Sequence, residues 1–276
     1  MPEGWQWDPS LYRGSAAYYT RGRVPYATGY AARLAGELGL DGRGRLLDVG
    51  CGPGVVTLAL AQYFATVVGI DPDPDMLFEA RRHAARLGVA NASWADVRAE
   101  ALPAGLGTFR VMLFAQSFHW TDRERVADAA FAMIEPGGYF VHVSERQPES
   151  RAPESPHPPP PRGAIAALVR SYLGDVRRAG QGVLRFGTQS GERAIVESAG
   201  FTGFRRLAIP ASGMIERDAD DVVAWVFSRS DSAPHLFGNR RDEFEHALRA
   251  CLHDASSAGV FAERQPDTEI WIWRRP

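Results

Sequence analysis

The stretch "LLDVGCGPG", Leu46 to Gly54, has the residue types and spacing of a ligand-binding turn. Asp48 ends an apolar run, and Gly50, Gly52 and Gly54 follow at alternate positions before the helical run "VVTLALAQYF". Glycines there let bare backbone approach a ligand, where side chains would block the approach or the turn. Two cofactor chemistries use such a turn. A dinucleotide loop spaces its glycines as glycine, any residue, glycine, two residues, glycine, and aims a helix N-terminus at a pyrophosphate. Here the third glycine comes one residue early and an acid precedes the first. Asp71, in "VVGIDPDPDML", suits ribose hydroxyls under either chemistry.

Other reactive types are sparse. Cys51 and Cys251 are too few for a disulfide framework, which fits a reducing, cytoplasmic setting. His246 and His253 are seven apart and can share a helix face, but no neighbouring Cys, Asp or Glu completes a metal-site spacing, so no metal is expected.

The elements that must carry these residues alternate along the first 150 positions. "RLLDV" (45–49), "TVVGI" (66–70), "ASWADV" (92–97), "RVMLFAQ" (110–116) and "GYFVHV" (138–143) read as parallel strands buried on both faces. Between the second and third lies a helix with Met76, Ala80, Ala84 and Leu87 at near-helical spacing, Asp75 and Glu79 near its start and Gly88 as its stop. A βαβ series of this kind predicts an α/β, doubly wound sheet with ligands outside the carboxyl ends of its strands. Prolines 148, 153, 156 and 158–161 then predict a surface loop or lid. Helices over 163–179 and 190–199, a strand "GFRRLAIP" (203–210), a helix capped by Asp218 with Asp221, a helix facing Phe244, Leu248 and Leu252 inward, and a strand "TEIWIW" (268–273) follow. The implied divisions are cap helices in 1–40, a cofactor-binding core in 41–146, a Pro-rich insertion in 147–202, and sheet-completing strands with a helical substrate cap in 203–276.

Bulk composition limits the partners. The 276 residues are 45% hydrophobic and 23% charged, enough for one large core plus a subdomain. The 31 basic and 33 acidic residues are well mixed, giving a net charge of −2, which argues against a nucleic-acid partner. The mainly apolar run 55–70 is short and broken by Thr57, Gln62 and Gly69, so neither export signal nor membrane span is expected. The sequence sets no oligomeric state.

Taken in order, "LLDVGCGPG", "VVGIDPDPDML", "WADVRAEALP", "FAQSFHW" and "IEPGGYFVHV" resemble the motifs of class I S-adenosylmethionine-dependent methyltransferases. The resemblance is nearest to the small-molecule group that includes trans-aconitate methyltransferase-like proteins, and is dense over residues 15–145. It implies a Rossmann-like, seven-stranded sheet with the last strand antiparallel, and S-adenosyl-L-methionine as cofactor, released as S-adenosyl-L-homocysteine. By motif position it implies that Asp48, Gly50, Gly52 and Gly54 surround the methionine portion, and that Asp71 accepts from both ribose hydroxyls. Pro72 and Met76 would lie near the adenine, Asp96 would bind its amine, Val97 would offer its N–H, and the main chain at Gln116 would meet the cofactor's amino group. "YYTRGRVPY" also resembles the group, with Tyr19, Arg23 and Tyr26 at its spacing, so that Arg23 would pair with the cofactor's carboxylate. Val24 departs from the proline common there.

The reaction implied is in-line transfer of a methyl group to an O, N or C nucleophile of a small molecule, which requires alignment and exclusion of water. His119, in "SFHWTD", is the base candidate, set against a pocket-shaping role. Cys51 reads as loop filler. Substrate-pocket candidates are Tyr26, Trp120 and Trp225, with Trp5, Trp7 and Phe227 as further aromatic lining. By analogy with a carboxylate substrate, Arg146, Arg151 and Arg162 are candidates beside the lid. An NAD-dependent oxidoreductase and a noncatalytic cofactor-binding protein are the rival readings.

Overall fold

The computed structural model describes residues 8, 10–148, 154–175, 191–211 and 213–276, and the backbone alone of 178–179 and 182–183. In chain order its strands are β1 (Arg45–Val49), β2 (Thr66–Ile70), β3 (Ala92–Ala95), β4 (Phe109–Ala115), β5 (Ile134–Arg146), β6 (Arg178–Ala179), β7 (Gly182–Val183), β8 (Thr202–Ile209), β9 (Met214–Asp218), β10 (Val260–Arg264) and β11 (Asp267–Arg274). Its α-helices are α1 (Ala16–Gly22), α2 (Tyr30–Leu38), α3 (Val55–Leu60), α4 (Pro74–Leu87), α5 (Arg123–Met133), α6 (Arg162–Leu173), α7 (Glu192–Ser198), α8 (Ala219–Phe227) and α9 (Arg241–Ala255).

Seven strands form one sheet in the order β3-β2-β1-β4-β5-β11-β8. The first five are parallel, and β11 runs antiparallel between β5 and β8. Side-chain alternation divides the strand residues between two cores. On one face Leu47, Val49, Met112, Phe114, Phe140 and Trp273 pack against α5 and α7. On the other, Leu46, Val111, Leu113, Val141 and Ile270 pack against α2 and α3. The chain winds outward from β1 through β2 to β3 and then restarts at β4 on the other side of β1. The crevice at the carboxyl ends of β1 and β4 is therefore the place where such a sheet takes a ligand.

Local signals set the helix ends that shape this crevice. The Asp73 carboxylate accepts the Asp75 and Met76 N–H groups, Pro74 opens α4, and Gly88 closes it in the left-handed conformation. Met76 and Ala80 are buried as expected, whereas Leu87 is 57% exposed, and Leu77 fills the inward position. The expected helix over 163–179 ends at Leu173, where Gly174 departs from helical geometry at φ 82°. Residue 190 lies outside the described residues, and the next helix runs over Glu192–Ser198.

A third core belongs to a cap above the sheet, in which Val223, Val226, Phe227, Phe237, Phe244 and Leu248 pack together with Ile165 and Phe261. Asp218 and Asp221 form a capping box at the start of α8. The two-stranded antiparallel sheet of β9 and β10 was not foreseen: its strands flank α8 and α9, and Arg217 and Glu263, 46 residues apart, form an ion pair across it. In the Pro-rich segment, the Pro158 carbonyl accepts the Ala262 N–H at 2.9 Å and Pro160 is buried. Its described part therefore touches β10 at Pro158, buries Pro160 and otherwise runs along the surface. Pro153 lies outside the described residues. Among the described residues, no helix is long and apolar enough to cross a membrane.

Candidate functional site

The crevice opens into a cleft of about 840 Å³ of empty space, mouth included, a size suited to a small organic ligand. Gly50, Gly52, Asp71, Pro72, Met76, Val97 and Gln116 line it, together with Tyr19 from the N-terminal segment. The Asp71 carboxylate accepts the Gly52 N–H at 2.8 Å and the Asp73 N–H at 3.0 Å, which fixes its orientation. Burial raises its pKa to about 6, against the opposing effect of those two bonds. The three glycines of the turn all have positive φ, but for different neighbours. A Cβ on Gly50 would meet the Ser117 Cβ at 2.6 Å, and one on Gly54 the Trp94 ring at 2.4 Å, while one on Gly52 would meet nothing within 4 Å. Of the three, only Gly52 has open space where a side chain would stand.

Several expected cleft residues lie elsewhere. Asp48 is fully buried behind the turn, where Thr57 Oγ1 donates to one of its oxygens at 2.6 Å and the other has no partner among the described residues. Its place follows from strand alternation, which sends it to the α3 side with Leu46. Burial lifts its pKa to about 7. Gly54 is walled off by Trp94 and Ala80. Asp96, just past β3, is exposed and is not among the lining residues. Gln116 holds φ at 54°, and its N–H donates to the Val143 carbonyl at 3.0 Å. That uncommon conformation swings the chain across the ends of β4 and β5.

Tyr12, Tyr19, Gln116 and Trp120 are shared with a second, larger cavity of about 1960 Å³, open solvent included, beneath the cap. Arg23, Tyr26, His119 and Glu145 belong to this second cavity and not to the cleft. Arg23 stacks its guanidinium 4.7 Å from the Tyr19 ring centre and donates to the Ser228 carbonyl at 2.8 Å, while its Nε has no partner among the described residues. The Gln265 side chain donates to the Pro25 and Tyr26 carbonyls, tying the N-terminal segment to the sheet. Burial, aided by His142 and Arg123, lowers the His119 pKa to about 4. His119 is therefore neutral at pH 7 and a weak proton acceptor.

Trp225 faces another cavity, with the Arg162 and Arg229 guanidiniums 4.1 Å and 4.8 Å from its ring centre, and Phe227 is a core residue of the cap. Arg162 is further tied to Glu263, which keeps it at the cap. Trp5, Trp7 and Arg151 lie outside the described residues. Cys51 is buried, and enclosure pushes its thiol pKa up, away from nucleophilic use. Among the described residues no cluster of metal-binding side chains occurs. Sequence reasoning missed Tyr12 and Glu145. Tyr12 has no signal short of the fold, because it reaches the cleft only when the N-terminal segment folds back, edge-on to Trp120 at 6.0 Å. Glu145 sits two positions past an apolar strand run, a signal available in the sequence.

Residues 46–138 match the family model of a methyltransferase domain. Over 185 residues the chain is 31% identical to the trans-aconitate 2-methyltransferase of Delftia acidovorans, covering 64% of this chain and 62% of that one. Over 117 residues it is 37% identical to a ubiquinone biosynthesis O-methyltransferase of Pseudomonas fluorescens, covering 41% and 50%. These matches thus span less than two thirds of either relative. Among solved structures, the fold resembles the YcgJ protein of Bacillus subtilis, with TM-score 0.52, 17% identity, and 89% and 98% coverage. It also resembles N-methyltransferase NodS of Bradyrhizobium japonicum in complex with S-adenosyl-L-homocysteine, with TM-score 0.52, 14% identity, and 97% and 99% coverage. At these identities the likeness is one of fold.

Proposed function

We propose, on the premise that residues 46–138 of this chain carry a class I methyltransferase domain, that the protein binds S-adenosyl-L-methionine in the cleft and methylates a small molecule held in the second cavity. The observation that carries this reading is the Asp71 carboxylate at the end of β2, clamped by two backbone N–H groups beside the open face of Gly52. A clamped carboxylate with free lone pairs suits two adjacent ribose hydroxyls, and the bare backbone at Gly52 suits a close-fitting ligand. Pro72, Met76 and Val97 supply an apolar wall for an adenine, and Asp96, next to Val97 in the chain, is the candidate partner of its amine. The relatives' names support small-molecule acceptors.

The cofactor supplies a methyl group already activated by positive sulfur. What remains for this chain is to bind, align and dehydrate. Asp71 fixes the cofactor's sugar, while Tyr12, Tyr19 and Trp120, at the junction of the two cavities, exclude water from the path between them. Tyr26 and His119 shape the acceptor side.

Calorimetric titration with S-adenosyl-L-methionine, S-adenosyl-L-homocysteine and NAD tests the cofactor, and a labelled-methyl assay on a metabolite panel tests the transfer. Binding of NAD alone overturns the reading. Asp71→Ala is expected to weaken S-adenosyl-L-homocysteine by about 10- to 150-fold, the loss of hydrogen bonds to a charged acceptor worth roughly 1.5–3 kcal/mol. The hydroxyls need the ionised carboxylate. Because the Asp71 pKa is raised to about 6, wild-type affinity should hold above neutral pH and fall as pH drops through 6, while Asp71→Asn should be weaker and lack that decline. Equal affinities in all three proteins would remove Asp71 from the site.

For His119 the low pKa leads to a definite expectation. His119→Asn should keep the maximal rate within about tenfold and lose mainly in acceptor KM, since a general base is worth about 10²–10⁴ and a pocket wall is not. Loss of the whole rate at unchanged KM would restore the base role.

A further inference from the structure

The N-terminal segment that faces the cleft is bonded to the cap along its length. His235 Nδ1 donates to the Arg13 carbonyl at 2.9 Å, and Arg241 donates to the Tyr18 hydroxyl at 2.6 Å, while the Tyr18 ring packs on the third core. Arg21 is bonded to Asp218 and Asp221, and Arg23 reaches the Ser228 carbonyl just past α8. At Gly22 the two helices meet backbone to backbone, since a Cβ there would lie 2.3 Å from the Ala224 carbonyl oxygen. The chain joins the sheet beyond these residues, where Thr268 Oγ1 accepts the Ala27 N–H at 2.8 Å and Gln265 donates to the Pro25 and Tyr26 carbonyls.

Arg217 stands at the joint between segment and cap. It lies on β9, is 4% exposed, and one of its terminal nitrogens donates to the Gly22 carbonyl at 2.9 Å and to the Asp221 carbonyl at 2.8 Å. The other terminal nitrogen donates to Glu263 on β10 at 3.3 Å. The Gly22 carbonyl is at the end of α1, where the helix itself supplies no partner. A planar guanidinium with five N–H groups serves α1, α8 and β10 at once, which a shorter side chain cannot do. Both cavities lie between the body so joined and the sheet. Tyr12 and Tyr19 face the cleft from this body, and Gly50, Asp71 and Gln116 face it from the sheet. Around the second cavity, Arg217 and Asp231 belong to the body and His119 to the sheet side.

We propose that Arg217 is a positioning residue that holds the donor-facing segment and the acceptor cap as one body, so that a donor in the cleft also sets the walls of the acceptor cavity. The inference rests on the methyltransferase reading. A donor in the cleft bears on Tyr12 and Tyr19, and through the joint at Gly22 and Arg217 the restraint passes to α8 and β9. The entropy of ordering the cap is then spent when the donor binds, and the acceptor meets a cavity already formed. By linkage the acceptor tightens the donor by the same factor, so the two are held together more firmly than either is alone.

The test is amide hydrogen exchange on the full chain with and without saturating S-adenosyl-L-homocysteine, and needs no acceptor. Among the described residues none of α8 lines the cleft, yet in the wild type the ligand is expected to slow exchange in α8 by about fivefold or more, along with the turn at Gly50–Gly52. Arg217→Gln should keep the slowing at the turn and lose it in α8, and Arg217→Lys, which keeps the charge without the planar fork, should fall between. Leu248→Ala, inside the third core and away from the joint, should lower the melting temperature and still show the slowing in α8. Unchanged α8 exchange in the wild type, wild-type slowing in both Arg217 variants, or its loss in Leu248→Ala as well overturns the proposal. Failure of the wild-type protein to bind S-adenosyl-L-homocysteine is a different result, and overturns the methyltransferase reading itself.

Discussion

Gly22→Ala is expected to loosen the cap from the N-terminal helix and to lower the melting temperature by roughly 6–12 °C, from an overpacking cost of about 3 kcal/mol in a domain of this size. Gly22 is the last residue of α1, and a Cβ built on it would lie 2.3 Å from the Ala224 carbonyl oxygen, 2.4 Å from its carbon and 2.6 Å from the Trp225 nitrogen. All three are backbone atoms of α8, so no rotamer change relieves the clash and one helix must move. The same contact carries the Arg217 bond to the Gly22 carbonyl and the Arg21 bonds to Asp218 and Asp221. Displacing α1 also displaces Tyr19 and Arg23, so donor affinity should fall with stability. Gly36→Ala is the matched control: it lies within α2 with nothing within 4 Å of its Cβ, and alanine there should be neutral or stabilising by about 0.5–1 kcal/mol. A Gly22→Ala protein that melts with wild type would mean that the two helices are not in backbone contact.

The second large effect separates two glycines that stand two residues apart in the same turn. Gly52→Val should reduce S-adenosyl-L-methionine affinity by about 100-fold or more, because its side chain enters the cleft, where a Cβ meets nothing within 4 Å. The stability cost should stay near 1–2 kcal/mol, that of a left-handed residue at φ 52°. Gly54→Ala should behave in the opposite way. Its Cβ would strike the Trp94 ring at 2.4 Å, so thermal stability should suffer first, and affinity only through the displaced turn. Calorimetry and thermal melts on the two variants read out the contrast. Similar melting losses in both, or undiminished affinity in Gly52→Val, would place the ligand somewhere other than against this turn.

Local order was what the sequence by itself determined. Strand β1 is "RLLDV" as expected, α4 carries Asp75 in its first turn and ends at Gly88, and α8 starts at the Asp218 and Asp221 box. Such features follow from apolar period and from hydrogen bonds between residues a few positions apart, so a short window contains their cause. Asp71 was legible for the same reason, since its place at a strand end aims it at the crevice.

Tertiary structure decided which side chains face that crevice. Asp48 and Asp71 both end or follow parallel strands, yet alternation buries Asp48 beside Thr57 and leaves Asp71 on the cleft wall. The glycine spacing serves two masters, with Gly52 toward the ligand and Gly54 toward Trp94, forty residues later. Trp225 was expected in the acceptor pocket, but Arg162 and Arg229 hold it on the next cavity. Arg21 meets Asp221 across 200 residues, and Gln265 holds Tyr26 across 239. Contacts of that separation are set by how the three cores pack against one another, and no period or cap within a local window encodes them.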